Sequence, residues 1–107
     1  MFFGLVVRRV RGQSMACTLS HGDVLIGQRL PDDRSVRAGD VVEIKHRDLG
    51  RLVKRVVDYS NDGYWVNGDS TTSLEAERIG LITRDQILAK FFLKLSPRGI
   101  SRIPKQN

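Results

Sequence analysis

Apolar residues recur at every second position through most of the chain, the period of strands buried on one face, and seldom at the 3.6-residue period of helices. The alternation predicts strands over residues 5–10, 23–29, 40–45, 51–59, 64–67 and 90–95. Glycine, aspartate and asparagine punctuate these runs. Ser20-His21-Gly22-Asp23 reads as a turn, 46–50 as another, and Ser60-Asn61-Asp62-Gly63 as a tight hairpin turn. Residues 31–39 and 68–77 are polar and read as loops. Thr83 with Gln86 three places on resembles a capping box, so one or two helical turns are expected to about Ala89. After Pro97 too few apolar residues remain to pack. The expected organisation is a single domain over 1–96 with a loose tail over 97–107. The fold class that follows is mainly β: a small antiparallel β domain with one short helix.

Length and composition narrow the classes. A chain of 107 residues supports one core and not two. With 40% apolar and 28% charged residues it has globular composition. The net charge of +6 favours anionic partners, yet the basic residues are scattered, and the densest group, Arg8, Arg9 and Arg11, sits at the end of a strand pattern. One cysteine, Cys17, excludes an internal disulfide and fits a reducing compartment. The apolar start runs seven residues to Arg8, far short of the roughly 20 of a membrane span. A cytoplasmic protein without a transmembrane segment is the expectation.

Candidate chemistry begins with Gly12-Gln13-Ser14-Met15, between two predicted strands. A glycine before a serine lets the backbone turn sharply and leaves the hydroxyl accessible. Backbone N–H groups at such a turn are placed to bind an oxyanion. In Arg51-Leu-Val-Lys-Arg-Val-Val57, alternation sets Lys54 and Arg55 on opposite faces. Whichever points inward is a cation among aliphatics. Desolvation pushes a buried amine toward its neutral form, and a neutral amine can act as general base toward a serine hydroxyl. The pattern leaves open which of the two is inward.

Other groups offer less. His21 and His46 fall in turns beside charged residues and read as solvated surface histidines. Two histidines and one cysteine have no metal-ligand spacing, so neither metal nor cofactor is expected. Cys17 reads as a half-buried thiol, and no phosphate-binding glycine loop occurs.

The segments Arg11-Gly-Gln-Ser-Met-Ala-Cys-Thr-Leu19, Gly22-Asp23-Val24, Gly39-Asp40-Val-Val42, Val53-Lys-Arg-Val-Val57, Gly68-Asp69-Ser70 and Arg78-Ile-Gly80 resemble, in order and spacing, the boxes of the signal peptidase I superfamily of Ser-Lys peptidases. The resemblance covers roughly residues 5–95. It implies the signal peptidase and SOS-repressor peptidase type of β fold, with Ser14 as nucleophile and Lys54 as general base. It implies Gly12, Ser14 and Met15 at the oxyanion and substrate site, and Asp69, Ser70, Ser73 and Arg78 in supporting places, with an Asp69–Arg78 ion pair. Within the superfamily the chain is most similar to the nickel-type superoxide dismutase maturation proteases. The implied activity is removal of an N-terminal propeptide from a precursor protein, apo nickel superoxide dismutase. Several positions depart from the family pattern. Cys17 stands where a proline is usual, and Ser70 replaces an asparagine. Ser73 lies five places after Gly68 where the family serine lies six, a place held here by Leu74. Gly12 replaces a hydroxyl that some relatives direct at the oxyanion.

Alternatives are a signal-peptidase-like or self-cleaving peptidase, a catalytically idle relative, and a basic β module that binds nucleic acid. Only 13 residues precede Ser14, which argues against self-cleavage. Aromatic residues are few and not interleaved with a basic stripe, which argues against nucleic acid.

Overall fold

The computed structural model describes residues 4–12, 14–16, 18–30, 36–69 and 79–104. Among them lie seven strands: β1 (Leu5–Arg9), β2 (Val24–Arg29), β3 (Val41–His46), β4 (Gly50–Ser60), β5 (Gly63–Asn67), β6 (Ile87–Ser96) and β7 (Gly99–Arg102). All pair antiparallel, in the order β1-β2-β6-β3-β4-β5, with β7 added to β6. The chain is therefore mainly β with an antiparallel sheet, as its alternation predicts.

β6 is the hinge of this order. One of its edges pairs with β2 from Arg29↔Ala89 to Val24↔Leu95. Its other edge pairs first with β3, from Ile44↔Ile87 to Val41↔Phe91, and then with β7, from Leu93↔Arg102 to Ser96↔Gly99. β2 crosses β6 closely at Gly27, where a Cβ would stand 2.3 Å from the Lys90 carbonyl oxygen and 2.7 Å from the Phe91 ring. Only glycine fits there. The sheet curls enough for Arg8 on β1 to reach Glu43 on β3, although β2 and β6 lie between those strands.

Because strands near the middle of the curl are covered on both faces, the apolar residues form two clusters. One gathers Val42, Ile44, Val56, Val66, Ile82 and Ile87 with their neighbours. The second gathers Val6, Met15, Leu19, Leu25, Val41 and Phe91 with theirs. Val41 and Val42 are adjacent on β3 and serve different clusters, which is why residues 41–44 are all buried. Each fully buried aliphatic contributes roughly 1.5–3 kcal/mol.

Three local expectations change. The helix expected from Thr83 to about Ala89 is one 3-10 turn, Arg84–Gln86. Gln86 Oε1 does accept the Thr83 N–H at 2.9 Å, but Ile87 already belongs to β6, and ladder pairing on both edges outweighs helix propagation. The region expected as a loose tail from residue 97 carries β7, which turns back through Pro97 and Arg98. All four β7 residues are exposed, so no apolar pattern announces them; main-chain pairing forms the strand. Beyond it Ile103 N–H donates to Phe92 O at 3.1 Å. His46 is not a solvated histidine. Its Nδ1 accepts the N–H groups of Asp48 and Leu49 at 3.0 and 3.1 Å, so its Nε2 carries the proton and donates to Ile79 O at 3.0 Å. It fastens the β3–β4 turn to the segment before the 3-10 turn.

Candidate active site

The β1–β2 connection starts as an extension of their ladder. Val10 N–H donates to Asp23 O at 2.7 Å, and Gly22 N–H to Val10 O at 2.9 Å. The chain then turns through Gly12, whose φ of +82° lies in the left-handed region that glycine enters without steric cost. Gly12 N–H donates to His21 Nδ1 at 3.0 Å, which places the imidazole proton on Nε2. After Ser14 the Met15 carbonyl accepts from Thr18 N–H at 3.1 Å and Leu19 N–H at 2.8 Å, one tight turn. Met15 and Leu19 are buried in the second cluster. They anchor the loop and leave Ser14 half-buried.

Lys54 comes from the opposite side, on β4. It is 2% exposed, and so is Arg55. Alternation separates the two, yet neither is solvated, because the curl covers both faces of β4 at this point. Arg55 faces Asp69: its Nε lies 2.9 Å from Oδ1 and its Nη2 2.8 Å from Oδ2, while Nη1 donates to Gly39 O at 2.7 Å and to Pro104 O at 2.8 Å. A guanidinium so fully engaged tolerates burial. Ser14 and Lys54 line one groove of about 580 Å³, together with Gly12, Met15, Leu52 and Val53.

Two contacts fix the walls of this groove against each other. Gly68, just past β5, lies against the loop that bears Ser14: a Cβ on it would stand 2.2 Å from the Ser14 carbonyl oxygen and 3.1 Å from the Ser14 Cβ. Its neighbour Asp69 binds both Arg55 and the Thr18 side chain. One carboxylate thus ties the loop that bears Ser14 to the residue adjoining Lys54. Burial pushes the Asp69 carboxyl up, but the hydrogen bonds from Arg55 and Thr18 and the Arg55 charge outweigh it and hold the group below the ordinary aspartate value.

The described cation paired with Asp69 is Arg55; Ser70, Ser73 and Arg78 lie outside the described residues, as do Gln13 and Cys17. Gly12 and Met15 both line the groove. Glu43, not singled out from the pattern, is 3% exposed, accepts from Arg8 Nε at 2.6 Å, and lies 4.0 Å from Arg51 Nη1. Its only sequence signal is an acid inside the apolar run Val41-Val42-Glu43-Ile44. The close approach of Gly68 and the His21 contact have no signal beyond the residue types.

β4 pairs with β3 from Gly50 to Arg55, but with β5 only from Arg55 to Ser60. β5 thus accompanies β4 only from Arg55 onward. Among the described residues, no group of three or more His, Cys, Asp or Glu could hold a metal ion, and no helix is long and apolar enough to cross a membrane.

A loop serine and a buried strand lysine sharing a groove on a curled antiparallel sheet have the architecture of a serine-peptidase-type fold. The chain belongs to the Peptidase S24-like family, whose model matches residues 4–92. That places it in the superfamily that includes signal peptidase. A comparison with curated proteins returns no match.

Proposed function

We propose that the protein is an endopeptidase using Ser14 and Lys54 as a dyad, and that it removes an N-terminal segment from a precursor protein. The observation that carries this reading is that the loop serine and the buried lysine, 40 residues apart in sequence, line the same groove. An extended substrate adds as a strand beside the groove, held by main-chain hydrogen bonds. Ser14 Oγ attacks the scissile carbonyl as the Lys54 amine takes its proton. Lys54 returns that proton to the leaving amine. Water, deprotonated by the same amine, then releases the acyl group and restores the serine. The Ser14 N–H is the oxyanion donor in this scheme, with Gly12 leaving room beside it.

The substrate proposed is apo nickel superoxide dismutase, on the strength of the sequence resemblance. The test is incubation with that precursor and with unrelated extended peptides. Processing by the native protein, lost in Ser14→Ala and in Lys54→Met, is the expected result. Full processing by either variant refutes the dyad. Cleavage of peptides but not of the dismutase precursor keeps the peptidase and removes the substrate.

A further inference from the structure

We propose that the C-terminal strap, β7 with Ile103 and Pro104, positions the Ser14–Lys54 groove through Arg55, so that the groove is set for catalysis while the strap is seated and loosens when it lifts. This rests on the peptidase reading above and deepens it by making Ile103 and Pro104 positioning residues of the same site.

The junction is the Arg55 guanidinium. Its Nη1 carries two hydrogens, and gives one to Gly39 O at 2.7 Å and the other to Pro104 O at 2.8 Å. Its Nε and Nη2 hold Asp69. When Pro104 leaves, mobile water replaces a fixed acceptor, and the fork that grips Asp69 loses its backing. From Asp69 the path runs to the nucleophile. The Thr18 side chain hydrogen-bonds Asp69, and the Thr18 N–H closes the turn after Ser14 on Met15 O at 3.1 Å.

Two further links reach the same loop. β7 pairs with β6 from Leu93 to Ser96, and Lys94, within that stretch, donates from its Nζ to Thr18 O at 2.7 Å. Ile103 packs against the apolar cluster that holds Met15 and Leu19. The same cluster takes Val53, the neighbour of Lys54. A displacement of the strap is therefore felt on both walls of the groove.

The strap is also held lightly. All four β7 residues and Pro104 are exposed, and half-buried Ile103 is its apolar anchor. The Ile103 N–H donates to Phe92 O at 3.1 Å. Among the described residues a cavity of about 310 Å³ is lined by Ile103 and Pro104 of the strap and by Phe92 and Leu93 of β6, so the seat is loosely packed. A segment with so little buried apolar contact opens at lower cost than the sheet it lies on.

The test keeps the full chain and works on the anchor. Ile103→Asp lifts the strap. Ile103→Pro is the milder second variant: it stays apolar and removes the N–H that Phe92 O accepts. Ile103→Val restores the seat, and Ile100→Thr, at an exposed β7 position, is the control. Expected in the first two is kcat about tenfold lower on a peptide the native protein cleaves, with KM little changed, and near-native values in the other two. The second readout is the Asp69 carboxyl, followed by carbon NMR through an acid titration. Burial pushes that group up and the bonds from Arg55 and Thr18 hold it down; with the strap lifted it titrates at higher pH than in the native protein. General destabilisation of the fold does not produce that shift. Native kcat in both Ile103→Asp and Ile103→Pro, or a lower kcat with the Asp69 titration unmoved, overturns the proposal. A shifted Asp69 titration in a protein whose native form cleaves no peptide keeps the strap's hold on Arg55 and removes the peptidase reading instead.

Discussion

Gly68→Ala tests the assembly of the groove with one methyl group. The added Cβ would meet the Ser14 carbonyl oxygen at 2.2 Å and the Ser14 carbonyl carbon at 3.0 Å. Both are backbone atoms, so no side-chain rotation relieves the clash. Ordinary contact begins near 3.4 Å, so loop and Gly68 segment must part by about 1.2 Å. Neither wall yields easily: Asp69 is held by Arg55 and Thr18, and the loop by Met15 and Leu19 in the core. Overpacking of this kind costs about 1–3 kcal/mol, roughly 5–15 °C in Tm for a domain of this size. A displacement near 1 Å at the reacting groups lowers turnover about 100-fold. Gly27→Ala is the control. It meets the Lys90 carbonyl oxygen at 2.3 Å but does not line the groove, so it lowers Tm to a similar degree while kcat on a cleavable peptide, measured below the melting range, stays near the native value. Native Tm and native kcat/KM in Gly68→Ala would show that Gly68 does not position Ser14.

Further outcomes follow from the same contacts. Asp69→Asn leaves the Arg55 guanidinium buried without its counter-charge and lowers stability by about 3 kcal/mol or more, read by urea unfolding. Because the Asp69 carboxyl sits below its ordinary value in the folded protein, its contribution is complete above the ordinary aspartate range and is lost as pH falls through the folded value. Stability curves of native protein and Asp69→Asn therefore converge on acidification, and a gap that stays constant into acid contradicts this assignment. His21→Ala removes the acceptor of the Gly12 N–H and lowers kcat about 2- to 10-fold with little change in KM, whereas His21→Asn, whose amide oxygen can take the place of Nδ1, restores it. Glu43→Gln costs about 1–2 kcal/mol, limited because Arg8 is partly exposed and can rehydrate; an unchanged urea midpoint refutes a structural role for that pair.

Much of the sheet was legible because its strands are short and alternate. Five of the six expected strands match the observed ones to within a residue at each end, since turn residues such as Asn61-Asp62 and glycines at Gly50 and Gly63 mark where pairing reverses. β6 instead starts three residues early, at Ile87, where helix was expected. The order of strands was not legible, because the pairing of β6 with β2 and β3 joins residues about 40 to 70 apart in sequence and leaves no local trace. β7 escaped for the opposite reason: it buries nothing. At the site, the choice between Lys54 and Arg55 as the inward cation dissolved because alternation assumes one wet face, and β4 has none at that point. Arg55 as the partner of Asp69 could not be read either, since its signal is the matching of two buried opposite charges 14 residues apart.

The path of the chain also sets a timetable. One wall of the groove, residues 8–15, grows out of the β1–β2 hairpin, and the other, residues 43 and 51–54, out of the β3–β4–β5 meander. Within the described sheet these two pieces are joined by β6, made after both of them. A growing chain can zip each piece locally, but the sheet that carries both walls closes when Ile87–Ser96 has left the ribosome and slotted in between. The serine and the lysine are thus both made before the strand that joins their walls, and a nascent chain that stalls before β6 carries both residues in pieces the sheet has not yet joined.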